Sequence, residues 1–339
     1  MRLILPFLGC FAAAVASSAM PNEVPDVLAA NPQNPVSLSS FGFFSGGAGK
    51  PSSKLIPYNL RTPLFSDYSE KQRFMYLPPG GAISATADGK LIFPIGSALI
   101  KSFGYPDGNG KLKILETRIL LRRAGGWVAL PYVWRADGSD ADLRVGGTRI
   151  PVEFDHGGTK ASISYSVPNK NQCKQCHSSG DQIMPIGPVW QNMEFPKASD
   201  RSRLLRAMPL LAKLSPEAKW DDAKSGTLND RAHSYLRVNC GHCHAPDGSA
   251  SNSGLFLDGS ARDRAAYGIA KRPVAAGRAS GDFDFIIEQG RPDRSILLRR
   301  MKSTDPGIAM PELGRAMVHD EGVALLDDWI AAMPKNGAY

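Results

Sequence analysis

Two five-residue motifs of the same kind constrain this chain more than any other feature of its sequence. The first is Cys173-Lys174-Gln175-Cys176-His177, and the second is Cys240-Gly241-His242-Cys243-His244. Each motif places two thiols one helical turn apart and follows them directly with an imidazole. The only cysteine outside the motifs is Cys10. Any fold of this chain must therefore accommodate two groups that each consist of two thiols and one imidazole.

This spacing predicts covalent attachment of two c-type haems, because two thiols can add to the vinyl groups of one porphyrin while the next imidazole ligates its iron. Zinc, two disulfides and a thioredoxin-type redox pair are the alternatives. A redox pair needs a βαβ context that neither motif has, and zinc held by both cysteine pairs would leave the adjacent histidines unexplained. The residues assigned to haem are Cys173, Cys176, Cys240 and Cys243 for attachment, with His177 and His244 as proximal iron ligands.

Residues 1–19 predict a secretory signal peptide and hence a periplasmic location. Arg2 supplies the positive end, residues 3–15 the apolar stretch, and Ser17-Ser18-Ala19 the small residues before cleavage. Leu8-Gly9-Cys10 is a partial lipobox, but the apolar run before it is very short, so plain secretion is favoured over a lipid anchor at Cys10. No later segment has the ~20 apolar residues of a membrane span, so we expect no transmembrane anchor.

The composition is that of a globular protein, with 42% hydrophobic residues, and its 34 glycines and 26 prolines indicate many turns and long loops. Lysine and arginine exceed aspartate and glutamate by 40 to 32, which gives a net charge of +8. Because these charges do not form runs, nucleic-acid binding is not expected. We expect instead a periplasmic redox partner protein.

Residues 20–165 predict an antiparallel β-rich domain, either a sandwich or barrel-like. Apolar and polar residues alternate over 150–154 and 161–165, and further strands are expected at 91–93, 97–103, 112–121 and 127–134. Turn sequences such as Asp107-Gly108-Asn109-Gly110 separate them. Asp67, Glu116 and Asp140 are interpreted here as structural hydrogen-bonding groups and not as catalytic acids.

Residues 227–335 predict a helical unit around the second haem. Helices are expected just before Cys240, around 296–301, and at the end of the chain, where one apolar stripe consists of Val323, Leu326, Ile330 and Met333. Met310, held beside a proline in the loop before the last helix, is the predicted distal ligand of the second haem. Met301 and Met317 are its rivals.

Residues 166–226 form the predicted first haem-binding segment, with an apolar helical periodicity over 199–214. Met184, which also precedes a proline, is the predicted distal ligand of the first haem. Met193, Met208, His156, His233 and an open coordination position are the alternatives.

Residues 227–335 resemble a class I cytochrome c domain, with its helix, C-x-x-C-H motif, long loops, Met-Pro loop and final helix. Over roughly residues 38–335 the chain is similar to a family of bacterial periplasmic dihaem c-type cytochromes that join an N-terminal β-rich region to two haem motifs. This similarity also rests on Thr62-Pro63-Leu64-Phe65-Ser66-Asp67-Tyr68, Phe93-Pro94-Ile95-Gly96, Glu116-Thr117-Arg118, Pro185-Ile186-Gly187-Pro188 and Tyr235-Leu236-Arg237-Val238-Asn239-Cys240. The resemblance implies periplasmic electron transfer.

The expected fold class is therefore α+β, with an N-terminal antiparallel β-rich domain followed by a mainly helical, cytochrome c-like region. The expected function is electron transfer between a redox partner enzyme and a respiratory acceptor. One alternative is a dihaem enzyme, peroxidase- or oxidase-like, with an open iron at the first haem. Another is the electron-draining subunit of a periplasmic dehydrogenase, whose β domain docks a partner or binds a substrate.

Overall fold

The computed structural model of the chain describes residues 33–180, 182–275 and 277–334. The predicted signal peptide at 1–19, with Cys10, lies outside the described residues. So do residues 20–32 of the predicted β-rich domain and residue 335 of the predicted C-terminal domain.

The main element of the N-terminal region is a six-stranded antiparallel sheet. In spatial order its strands are β1 (Ile56–Pro57), β3 (Glu70–Tyr76), β6 (Ala98–Pro106), β7 (Leu112–Arg123), β8 (Gly126–Trp134) and β9 (Ala141–Leu143). The sheet is open, since its two ends, β1 and β9, do not pair with each other. The α+β class is thus confirmed, while the barrel-like alternative is not what the described residues form.

Four two-stranded pairs surround this sheet. The longest is the hairpin that leads into the first cysteine motif, formed by β10 (Thr148–His156) and β11 (Thr159–Val167). The other pairs are β2 (Asn59–Leu60) with β14 (Met193–Glu194), β4 (Ser84–Ala85) with β5 (Leu91–Ile92), and β12 (Ser178–Ser179) with β13 (Gln182–Ile183).

The two faces of the sheet pack against different clusters, because successive side chains of a strand point to opposite sides. One face carries Phe74, Ile100, Ile119 and Leu130, which belong to a core completed by Phe41 and Phe43. The other face carries two apolar clusters. The first, here called the lower cluster, contains Met75, Leu99, Trp190 and Leu204. The second, the upper cluster, contains Phe103, Tyr105, Phe154 and Tyr165.

The structure confirms the expected strands at 112–121 and 127–134 and both strands of the 148–167 hairpin. It adds β3, which the sequence did not indicate because four polar residues precede Phe74 and no alternation is visible. The periodicity over 199–214 is only partly helical. The helix α2 (Ala198–Ala207) ends before Pro209, whose ring and missing N–H end an α-helix, and a 3-10 turn at Pro209–Lys213 continues the chain.

The remaining helices are α1 (Lys170–His177), α3 (Leu228–Asn239), α4 (Ile296–Met301) and α5 (Asp320–Ala331). In α5 the predicted stripe is buried, and it packs with Trp329 and with α3 residues Ala232, Tyr235 and Leu236 in one C-terminal core. The predicted helices around 296–301 and at the end of the chain are therefore confirmed. No helix of the described residues is long and apolar enough to cross a membrane.

Residues 62–68 join the β-rich region to the C-terminal core, and we call this segment the clasp. The Asp67 carboxylate accepts hydrogen bonds from the backbone N–H groups of Ala316 (2.7 Å) and Met317 (2.8 Å). The Phe65 ring stacks on His319 with 4.2 Å between ring centroids, and its N–H donates to Asn239 in α3 (2.8 Å). The clasp thus fixes the position of α3, which leads into the second motif.

Candidate functional site

The first motif lies on α1, directly after the long hairpin. The Asn169 side chain accepts a hydrogen bond from the Gln172 N–H, and the Gln172 side chain accepts one from the Asn169 N–H, both at 2.9 Å. This reciprocal cap begins the helix one turn before Cys173, so that Cys173, Cys176 and His177 follow at helical spacing. Cys173 is buried, and burial raises the pKa of its thiol.

The second motif begins where α3 ends. Cys240 is the C-cap residue of α3. The N–H groups of Cys243 and His244 both donate hydrogen bonds to its carbonyl oxygen (3.1 and 3.0 Å). Burial raises the pKa of the Cys240 thiol to about 12. The motif therefore forms a compact turn that rests on the C-terminal core.

The two motif histidines have the same hydrogen-bonding arrangement. His177 Nδ1 lies 3.1 Å from the carbonyl oxygen of Met184, which can only accept, so Nδ1 carries the proton. His244 Nδ1 lies 3.3 Å from Ser253 Oγ, whose own proton is donated to the Ala250 carbonyl (2.6 Å). In both rings Nε2 is consequently the nitrogen with a free lone pair. Histidines that ligate metals usually donate the N–H of their other ring nitrogen to an acceptor, which orients the ring.

Both imidazoles are in surroundings that disfavour a positive charge. Burial lowers the pKa of His177 to about 4, and the nearby cations of Lys101 and Arg118 act in the same direction. Burial also lowers the pKa of His244, with a further contribution from Arg300. Neutral imidazole is the form that binds iron.

The fold brings the two motifs together at Cys176 and Cys243. The thiols of Cys176 and Cys243 lie next to each other, so the loss of a proton from one of them raises the pKa of the other. The ligand atoms of Cys176, His242 and Cys243 all lie within 4.8 Å of one another, and His242 Nδ1 is buried without a hydrogen-bond partner among the described residues. Two sulfurs and one nitrogen could hold a zinc ion. Such a site would use one cysteine of each pair and neither His177 nor His244.

Met310 lies on the loop after α4, which is held by Arg300. Its N–H donates to the Arg300 carbonyl (3.1 Å), while the Arg300 guanidinium donates to the Ile308 carbonyl (2.9 Å). Arg300 is the same cation that lowers the pKa of His244. Arg300 therefore holds the loop that carries Met310 and also acts electrostatically on the ring of His244.

The other predicted distal ligands have identifiable surroundings. Met301, Met193 and Met208 are buried in apolar clusters, and Met317 packs at the edge of the upper cluster. His233 stacks on Tyr267 (4.5 Å between centroids), and His156 lies against Tyr68 (3.8 Å). Met184 is held by its own main chain at the Nδ1 side of His177. Met208 and Met301 are therefore packed as core residues.

The residues present fit two covalent haems. Each motif offers two thiols and one neutral imidazole with a free Nε2, which is the donor set that the cofactor requires. On the strand opposite Lys101, Arg73 Nη2 is buried without a hydrogen-bond partner among the described residues, as expected where a carboxylate-bearing group belongs. Sequence reasoning missed this arginine and its neighbour Lys101. The available signal was Lys101, a charged residue inside the mainly apolar strand β6, whereas Arg73 follows three other polar residues and gives no such signal.

The three acidic residues interpreted as structural make hydrogen bonds of that kind. Asp67 binds the two N–H groups named above, and Asp140 accepts from the N–H (3.0 Å) and hydroxyl (2.7 Å) of Ser39. Glu116 pairs with Arg118 and accepts from Tyr165 Oη (2.5 Å). Comparison of the chain with protein-family models, with curated proteins and with solved structures gave no match.

Proposed function

We propose that this chain is a periplasmic dihaem c-type cytochrome that carries electrons between a redox partner enzyme and a respiratory acceptor. The observation that carries the proposal is common to both motifs: each terminal histidine has its Nδ1 proton held by a fixed acceptor and its Nε2 free. A single histidine of this kind is often a satisfied core residue. Two of them, each directly after a C-x-x-C pair, support two haem irons.

In this proposal the haems supply reversible one-electron chemistry at iron, and the protein residues hold and tune them. Cys173 and Cys176 attach the first haem, and Cys240 and Cys243 attach the second. The Met184 carbonyl and Ser253 hydroxyl orient the proximal imidazoles. Met310 is proposed as the distal ligand of the second haem, which would favour its ferrous state.

The contact between Cys176 and Cys243 supports transfer between the two centres. The Sγ atoms of the two residues lie within 4.8 Å of each other, and each sulfur would be bonded to the edge of its own porphyrin, so the two attachment edges would lie at the same point of the fold. An electron entering at one motif would then need to cross only this short contact.

A second candidate function is a dihaem enzyme with an open iron at the first haem. It is favoured by the position of Met184, whose carbonyl oxygen contacts Nδ1 of His177 and whose side chain packs against the lower cluster. If Met184 does not ligate the first iron, that iron would have a coordination position for a small ligand.

The test is to mature the protein in a host with c-haem attachment machinery and to count covalent haems by mass. We expect two haems in the wild type and one in Cys240→Ser. Retention of two haems in that variant would contradict the assignment of the motif. A chain without haem that holds zinc in equal amount would support the Cys176–His242–Cys243 site instead.

His242 and His244 provide a matched pair for the ligand assignment, because both lie in the second motif. His244→Asn should convert one haem from low spin to high spin in the optical and EPR spectra, whereas His242→Asn should not. Carbon monoxide and hydrogen peroxide then separate the two functions. An electron carrier with two six-coordinate irons should bind neither, while binding or turnover at one iron would establish the enzyme.

A further inference from the structure

We propose that Arg73, Lys101 and Arg118 form an anion-binding row beside the first motif, which takes a carboxylate or a small inorganic oxyanion. This inference rests on the proposed function to the extent that the first motif carries a haem. The anion can come from two sources, namely the carboxylate groups of the haem itself or a free oxyanion from solution. Both present charged oxygens to which arginine donates in a forked geometry.

The row follows from the register of three neighbouring strands. Arg73 on β3 lies directly opposite Lys101 on β6, and Lys101 lies directly opposite Arg118 on β7. Residues paired in this way project on the same face of a sheet with their Cβ atoms in close proximity. Three cations are therefore side by side, an arrangement that destabilises a sheet unless an anion compensates it.

Charge compensation within the protein is incomplete. Glu116, which is fully buried, forms an ion pair with Arg118 and accepts a hydrogen bond from Tyr165 Oη, so it compensates Arg118. Arg73 is 8% exposed, and its Nη2 atom has no hydrogen-bond partner in the described part of the chain. Within residues 33–180, 182–275 and 277–334, the Lys101 side chain makes neither a hydrogen bond nor an ion pair, and its Nζ lies 4.7 Å from the centre of the Phe103 ring.

The pKa of Lys101 agrees with this geometry. Burial lowers it well below the ordinary value, and the cations of Arg73, Lys71 and Arg118 lower it further, whereas Glu116 alone opposes them. Lys71, two residues before Arg73 on β3, adds a fourth positive group to the same face of the sheet. Desolvated cations are costly unless they are paired, so an anion at this point would remove the penalty.

The row faces the first motif. It lies on the sheet face between the lower and upper clusters, where Leu99 and Phe103 precede and follow it on β6. The hairpin strand β11 crosses this region and places Tyr165 on Glu116, and α1 follows two residues after that strand ends. The positive charge of Arg118 lowers the pKa of the thiols of both Cys173 and Cys176.

The first experiment replaces Lys101 by methionine in the matured protein, with Lys113→Met as the matched control. Lys113 is exposed on the neighbouring strand β7. A cation beside a haem stabilises its ferrous form, so Lys101→Met should lower the midpoint potential of one haem and leave the other unchanged. The control should shift neither potential, and Lys101→Gln serves if the methionine variant does not fold.

The second experiment titrates wild type and Arg73→Met with sodium nitrite, followed by the visible spectrum and by calorimetry. A lowered potential in Lys101→Met without nitrite binding identifies the haem carboxylates as the anion. Nitrite binding that is at least tenfold weaker in Arg73→Met identifies a free oxyanion. Two results would contradict the proposed anion site. Both have unchanged midpoint potentials, with nitrite binding either absent or equal in wild type and Arg73→Met.

Haem counting by mass keeps this test separate from that of the proposed function. A wild type that matures without covalent haem contradicts the cytochrome assignment. Calorimetry on that same protein still decides whether the row binds an anion.

Discussion

The Nδ1 atom of His177 and the main-chain oxygen of Met184 are 3.1 Å apart, and this contact decides which side of the imidazole Met184 occupies. A haem iron at this motif would be held by Nε2, the opposite nitrogen of the ring. The Met184 side chain packs against the lower cluster. Its main chain, not its thioether, is the part that acts on His177.

Met184→Leu should therefore leave the first haem spectroscopically unchanged. Leucine keeps the volume of the side chain and the carbonyl that accepts the Nδ1 proton, so the orientation of His177 is retained. The measurement is the low-spin EPR signal and the midpoint potential of each haem. Loss of one low-spin signal in this variant would make Met184 the axial ligand after all.

Met310→Ala should lower the midpoint potential of one haem and leave the other nearly unchanged. Thioether ligation favours the ferrous state, and the loop carrying Met310 is held next to Arg300, a neighbour of His244. Met301→Leu is the matched control, because Met301 is buried in the C-terminal core. An unaltered spectrum in Met310→Ala would remove Met310 as a ligand.

Asp67→Ala should destabilise the protein by about 2–4 kcal/mol, because two backbone N–H donors lose a charged acceptor. Asp67 also has a φ of 50°, in the left-handed region that alanine disfavours. Asp67→Asn keeps an oxygen acceptor and tolerates this backbone conformation, so it should lose about 1 kcal/mol or less. Chemical denaturation of both variants measures the difference, and equal losses would show that the clasp does not depend on this carboxylate.

Acid should destabilise the wild type more than His319→Gln between pH 6.5 and 4. Burial lowers the pKa of His319 to about 4, below the value of about 6.5 for an unfolded histidine. In that window the unfolded state binds a proton that the folded state does not, so stability falls as the pH falls. We expect the difference to reach about 2 kcal/mol at pH 4, given the partial exposure of the ring.

Glutamine is the suitable replacement because it can still accept the hydrogen bond from Tyr235 Oη, which lies 2.8 Å from His319 Nδ1. The free energy of unfolding of both proteins at pH 7, 5.5 and 4 gives the comparison. Parallel pH profiles would mean that His319 is already protonated or exposed in the folded protein.

The sequence by itself determined the features that depend on neighbours along the chain. The spacing within each motif, the alternation over 150–154 and 161–165 and the apolar stripe of the last helix are local patterns, and the structure reproduces the two strands and the helix. The proposed attachment residues follow from the same local spacing. The end of α2 at Ala207 also has a signal in the sequence, because Pro209 is incompatible with a continuous helix.

Only the tertiary structure decided which distant residues meet. Arg73, Lys101 and Arg118 belong to three strands, and β3 had no sequence signature, so their alignment depends on sheet register. The contact of Cys176 with Cys243 and the position of the Met184 carbonyl at His177 depend likewise on how α1 and α3 are packed. Such contacts are set by the burial of the clusters that position the strands and helices. That burial is a property of the whole chain, and no short stretch of sequence encodes it.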